Sequence, residues 1–178
     1  MNPVIAASAC IFLLCGAVAD LRSRKIPNSL NVGAFIVGVT LSCFFAGLEG
    51  LSYSMGGFIV GLTILFVPFS AGLIGGGDVK FAAAAGTFLG WQLLLAGLAG
   101  GIILGGVVGV ATLVSQGRLN RALKSLKLDL YSMASGIRPM TLKETANVKT
   151  IPYGVMLAIG MAGALAAETW RLVSWVDL

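Results

Sequence analysis

Histidine is missing altogether from the 178 residues. Its absence excludes imidazole acid/base chemistry, Ser/His triads and histidine metal ligation. Charge is scarce as well: Asp, Glu, Lys and Arg make up 11% of the chain, against roughly 25% in an ordinary soluble domain. Cysteine occurs only as Cys10, Cys15 and Cys43, each inside an apolar run and without CxxC spacing. Neither a zinc site nor a disulfide framework is suggested, and the three are expected to be packing residues. No metal, cofactor or nucleic-acid partner is expected. Any chemistry has to come from carboxylates, lysines or hydroxyls. What the chain does contain is apolar residues, 57% of the total, with a mean hydropathy of +0.96. The expected fold is therefore an all-α polytopic membrane protein, a single membrane-embedded domain over residues 1–178.

Charge-free runs extend over Met1 to Ala19, Ile26 to Leu48, Gly50 to Gly77, Phe81 to Gly117 and Thr150 to Ala167. A spanning helix needs about 20 apolar residues, so four of these read as single spans. The run from Phe81 to Gly117 would make a helix of about 55 Å, too long for a hydrocarbon core of about 30 Å. It is expected to fold back at "GLAGG", Gly97 to Gly101, which makes six spans. Charge supports that count. Arg22, Arg24 and Lys25 follow the first run and mark its cytoplasmic end. With six spans, eleven of the twelve Lys and Arg residues lie on that side, Arg171 being the exception. A single span over Phe81 to Gly117 would export the seven basic residues between Arg118 and Lys149.

"GAVAD" imitates a signal-peptide cleavage site and "FLLCG" a lipoprotein signal, but no Lys or Arg precedes the apolar stretch and three follow it. That polarity is the reverse of a signal peptide, so the first run is expected to stay as a span. Between Arg118 and Lys149, Leu119, Leu123, Leu126, Leu130 and Met133 recur at spacings of three and four, with Arg121, Lys124 and Lys127 off the stripe. The loop over 118–149 is expected to hold an amphipathic helix on the cytoplasmic leaflet, in contact with anionic lipid; substrate docking there is a second reading.

Two acidic residues border the inner ends of the spans, Asp20 after the first and Asp78 between the third and fourth. Carboxylates at membrane depth are costly and point to function. Two of them at close range hold one proton between them, so one can take a proton from water while the other donates to a peptide carbonyl, with no need of histidine or metal. Gly75, Gly76 and Gly77 ahead of Asp78 let another backbone approach that carboxylate. The plainer reading makes Asp78 a helix N-cap and Asp20 an interfacial residue offset by Arg22 or Arg24.

These residues carry a resemblance. Gly-Gly-Gly-Asp78 resembles the GxGD motif of intramembrane aspartyl proteases, and "DLRSRKIPNSLN", Asp20 to Asn31, resembles the first-aspartate region of small type IV prepilin peptidases. "KTIPYGVMLAIG", Lys149 to Gly160, is similar to the opening of that family's last helix. The resemblance implies a membrane endopeptidase of the bacterial inner membrane, cutting the basic leader from prepilins or pilin-like proteins at the cytoplasmic face. Asp20 and Asp78 match its two catalytic aspartates. Large members carry a cysteine-rich zinc insert and methylate the new amino end. No such insert is present here, and the IPN block looks more like the short peptidases of Flp-type pili, which puts methylation in doubt.

Around the dyad, Lys80 can bias its ionisation or mark the inner boundary. Pro152 suits a first helical turn and Gly154 close packing, and Tyr153 lines the site or anchors at the interface. Pro27 and Asn28 are expected to link and cap the second helix. An alternative from another class is a small transporter whose aspartates bind protons or ions. Such sites favour the midplane, whereas both aspartates here border basic residues at one face. A presenilin-like protease cutting within its substrate's span is disfavoured by the same position.

Overall fold

A computed structural model of the chain describes residues 2–70, 74–117, 119 and 153–176. Among them the regular elements are four α-helices: α1 (Pro3–Ser23), α2 (Asn28–Ser70), α3 (Gly76–Ser115) and α4 (Tyr153–Val176). The chain divides into two compact units, Met1–Leu104 with Pro152–Leu178, and Gly105–Ile151. Everything below concerns the first. The amphipathic segment expected over 118–149 lies, Leu119 apart, outside the described residues, as does Pro152.

Local chemistry explains the ends of α1. The Asn2 side chain accepts the Val4 N–H at 2.9 Å and Pro3 occupies the first helical position, where its missing N–H costs nothing. Arg24 ends the helix in the left-handed region at φ 51°, its N–H donating to the Asp20 carbonyl at 2.9 Å.

As straight rods, α2 and α3 would be about 60 Å long, twice the hydrocarbon thickness. Each is broken at one glycine, Gly47 at φ 58°, ψ −136° and Gly90 at φ 68°, ψ 175°. The chain reverses at both. On the first limb of α2, Ser42 donates to the Thr87 carbonyl at 3.3 Å, and Gly38 abuts Thr87. On the second limb, Gly57 abuts Gly86 and Gly61 abuts Ala83, so numbers rise along one helix as they fall along the other. Beyond Gly90, Gly97 meets Met161 and Gly101 meets Leu157, antiparallel to α4. Six helical limbs result. The first reversal falls two residues ahead of Glu49, where the sequence marks the loop.

The second reversal corrects the expected hairpin. Gly97 to Gly101 lie within a continuous helical limb, and the turn is made at Gly90. The tight turn needs a dihedral pair that only glycine adopts. The "GLAGG" glycines instead remove side chains where α4 crosses: a Cβ on Gly97 would stand 2.6 Å from Met161 Cα, and one on Gly101 2.9 Å from Leu157 Cα.

The limbs pack around Phe12, Phe81, Phe88, Leu89, Leu94, Leu98, Leu157 and Met161, all buried, with the Phe12 and Phe81 rings 5.0 Å apart. Outside, Ile11, Leu14, Phe44, Leu48, Val67 and Ile103 are exposed. Large apolar side chains facing outward, on α1, α2 and α3 that are long and apolar enough to cross a bilayer, describe a membrane protein. The three cysteines belong to this outer surface: Cys10, Cys15 and Cys43 are exposed and not packed in the core. A lipid-facing position accepts a small apolar side chain as readily as the interior does, so hydropathy alone does not separate the two.

The Gly90 turn is held by Tyr53, whose hydroxyl donates to the Leu89 carbonyl at 2.5 Å and whose ring fills the place of the Gly90 Cβ. Gly90→Ala is therefore expected to cost the backbone strain, about 1–3 kcal/mol, together with displacement of that ring. Gly47→Ala, where nothing lies within 4 Å, adds the strain alone. Gly163→Ala, also unobstructed and inside a helix, gains up to about 1 kcal/mol. Thermal unfolding of the purified protein in detergent should rank the variants Gly163→Ala, Gly47→Ala, Gly90→Ala from most to least stable.

Candidate active site

Asp20 occupies the last turn of α1 and is 6% exposed. The chain beyond it is folded tightly. Arg24 caps the helix, and the Ser23 hydroxyl lies 2.9 Å from both the Ala19 and Lys25 carbonyl oxygens. Ile26 then turns inward and is buried, and Pro27 leads into α2 at Asn28. The turn thus presents Asp20 and Ile26 to the same interior space.

Asp78 stands in the first turn of α3 and is half-buried. Gly75 precedes the helix; its carbonyl accepts the N–H groups of Asp78 at 3.1 Å and Val79 at 3.4 Å, and its own N–H donates to Asp78 Oδ2 at 3.3 Å. Gly75, and not Asp78, is therefore the N-cap; from the third helical position the Asp78 side chain reaches back to the Gly75 N–H with a single carboxylate oxygen, which is half of a capping box. The same contact aims the carboxyl back over Gly75, which is exposed, so backbone rather than a side chain lies along one side of it.

The third wall is the start of α4. Val155 N–H donates to Asp20 Oδ2 at 3.2 Å. A carboxylate from one helix thereby satisfies the free N-terminal N–H of another, where the helix dipole favours negative charge. Gly154 makes this approach feasible. A Cβ there would lie 2.9 Å from Asp20 Oδ2, 3.1 Å from its Cγ and 3.1 Å from Ile26 Cδ1. Ile26 also reaches the other aspartate's helix, its backbone nitrogen lying 3.9 Å from where a Gly77 Cβ would be.

Asp20 and Asp78, remote in sequence, come within direct electrostatic range of one another, and half-buried Tyr153 lies within the same range of Asp78. Lys80 points away from the interior: it is exposed and its Nζ donates to Asn28 Oδ1 at 3.0 Å, tying the start of α3 to the start of α2. Gly76 contributes differently, leaving room for the Phe69 ring, which a Cβ would approach to 3.3 Å. Among the described residues no three metal-ligating side chains converge.

Sequence reasoning assigned no site role to Ile26, Asn28 or Val155. Ile26 carries a weak signal, a large apolar residue directly after three basic ones and before proline. Val155 carries none, because it acts through its backbone N–H, which every residue except proline possesses.

A model of the type IV leader peptidase family matches residues 7–110, which hold both aspartates. The preflagellin peptidase of Methanococcus voltae is 31% identical over 81 residues, covering 43% of this chain and 34% of that relative. The chain thus spans about a third of the curated relative it matches. No solved structure matches it. With more than half of its length matched by the family model, the chain belongs to the type IV leader peptidase family.

Proposed function

We propose that the protein is a membrane aspartic endopeptidase that removes the basic leader from prepilins or pilin-like proteins at the cytoplasmic face of the cell membrane, with Asp20 and Asp78 as its catalytic pair. One observation supports the reading: two carboxyls from separate helices lie within electrostatic range of one another, each accepting from a backbone N–H at the start of a helix.

The chemistry follows from that geometry. Two carboxyls in electrostatic range share a single proton. The ionised member takes a proton from a water molecule, which attacks the scissile carbonyl carbon, and the protonated member donates to the carbonyl oxygen. Collapse of the tetrahedral intermediate breaks the C–N bond, and the departing amine takes up a proton from the pair. The Gly75 side of Asp78 gives an extended peptide room to approach without meeting a side chain. Tyr153 closes the α4 side.

The cytoplasmic placement rests on charge. Arg22, Arg24 and Lys25 flank Asp20, and Lys80 flanks Asp78. Reporter fusions should place residue 135 inside and residue 49 outside; a periplasmic signal at 135 overturns this orientation. Lipid is the surrounding medium, and no cofactor enters the proposed cycle.

Asp20→Asn and Asp78→Asn are each expected to lower leader removal by at least about 10²–10⁴-fold while the protein still inserts. The double variant should be no worse than either single one, since residues acting as a unit are non-additive. The pH profile of kcat/KM should be bell-shaped. Activity retained by either well-expressed single variant, measured as the mass shift of a purified precursor, removes the dyad mechanism and favours ion binding instead.

Gly154→Ala probes the α4 wall. The added methyl forces Asp20 and Ile26 aside, and displacement on this scale is expected to lower kcat about tenfold to a hundredfold. Gly163→Ala on the same helix should leave kcat unchanged.

A further inference from the structure

Asn31 is 5% exposed, and among the described residues neither its Nδ2 nor its Oδ1 has a hydrogen-bond partner. An apolar interior penalises each unmet group, and an unpaired buried amide in a native protein calls for a partner.

Its location is set by its neighbours on α2. Asn28 accepts from Lys80, Gly38 abuts Thr87, and Ser42 donates to the Thr87 carbonyl. At 100° per residue, Asn31 falls between the directions of Gly38 and Ser42. It therefore occupies the α3-facing side of α2 at a level between Lys80 and Thr87, one turn further in than Asn28. The part of α3 at that level includes Ala82, Ala83, Ala84 and Ala85, where side chains are single methyl groups. Asp78 lies just on the other side of Lys80.

A peptide has to be extended to be cut, and extension removes the helical partners of its own N–H and C=O groups. Where the segment enters the hydrocarbon no water replaces them. A planar primary amide offers one acceptor oxygen and a donor nitrogen side by side, which matches the N–H and C=O of one extended residue, both of which point to the same side of the strand. We infer that Asn31 is a substrate-binding residue, pairing with the backbone N–H and C=O of one residue on the membrane side of the scissile bond and holding that segment extended beside the aspartates. This rests on the proposed peptidase activity and names a contact that activity needs.

The test uses the full-length protein in detergent, with a synthetic pilin-precursor peptide spanning the leader and the start of the apolar segment. Asn31→Leu should lower kcat/KM about tenfold to a hundredfold, the effect of losing one or two hydrogen bonds. Without substrate it should raise the unfolding temperature, because an unpaired amide has been replaced by an apolar group. Asn31→Thr, which keeps a hydroxyl, should be intermediate. On wild-type protein, replacing single substrate amides by esters should reveal one position after the cut whose ester costs activity, and that cost should vanish in Asn31→Leu. Unimpaired cleavage by Asn31→Leu, a fall in its unfolding temperature alongside lost activity, or an ester scan with no coupled position each overturns the inference while leaving the peptidase reading standing. A wild-type protein that does not cut the precursor overturns both.

Discussion

Backbone contact between helices is the constraint on which the rest of this protein depends. Lipid tails are as apolar as leucine, so burial of leucine against leucine supplies little drive for helices to associate in a bilayer. The helices cohere where side chains are absent. Gly57 and Gly86 face one another so closely that a Cβ on either would collide with the other's carbonyl. Gly160 sits against Gly97 and Gly101 in the same manner. These contacts set the height of α3 and α4 in the bundle, and with it the position of the α4 N-terminus. Because Val155 N–H is held there, Asp20 has a donor to accept from.

Polar groups inside the bundle follow the same economy. Ser42 and Tyr53 donate to carbonyls of α3, and Thr87 donates back to Ala84 within its own helix. The two aspartates each engage one backbone N–H, which leaves each carboxyl with capacity for a water or a peptide carbonyl. Among the described residues, Asn31 and the Ser54 hydroxyl depart from this pattern. Fully satisfied groups hold the fold together, whereas an unpaired buried group is costly.

Much of this was legible before the fold. Hydropathy and charge gave the helical class and the position of the first reversal to within two residues, because the cost of placing a charge in hydrocarbon is a property of the residue itself. Absence of histidine narrowed the chemistry to carboxylates, lysines or hydroxyls. The GGGD and IPN blocks marked the two ends of the site. The second reversal was misplaced, because Gly90 and the glycines from Gly97 to Gly101 look alike in sequence. One makes a turn and the others make a packing face, and the choice depends on which partner helix lies opposite.

Membership of the membrane-embedded helical class was therefore determined by sequence alone, and the two candidate carboxylates were legible in it, since each depends on residue type and spacing along the chain. That Asp20 and Asp78 come within electrostatic range, that α4 supplies the N–H that orients Asp20, that Ile26 lies close to both Gly77 and Gly154 and that Asn31 has no partner among the described residues were decided only by tertiary structure. Proximity between distant residues, backbone donors and unmet hydrogen bonds depend on the positions of other helices, and no residue encodes these by itself.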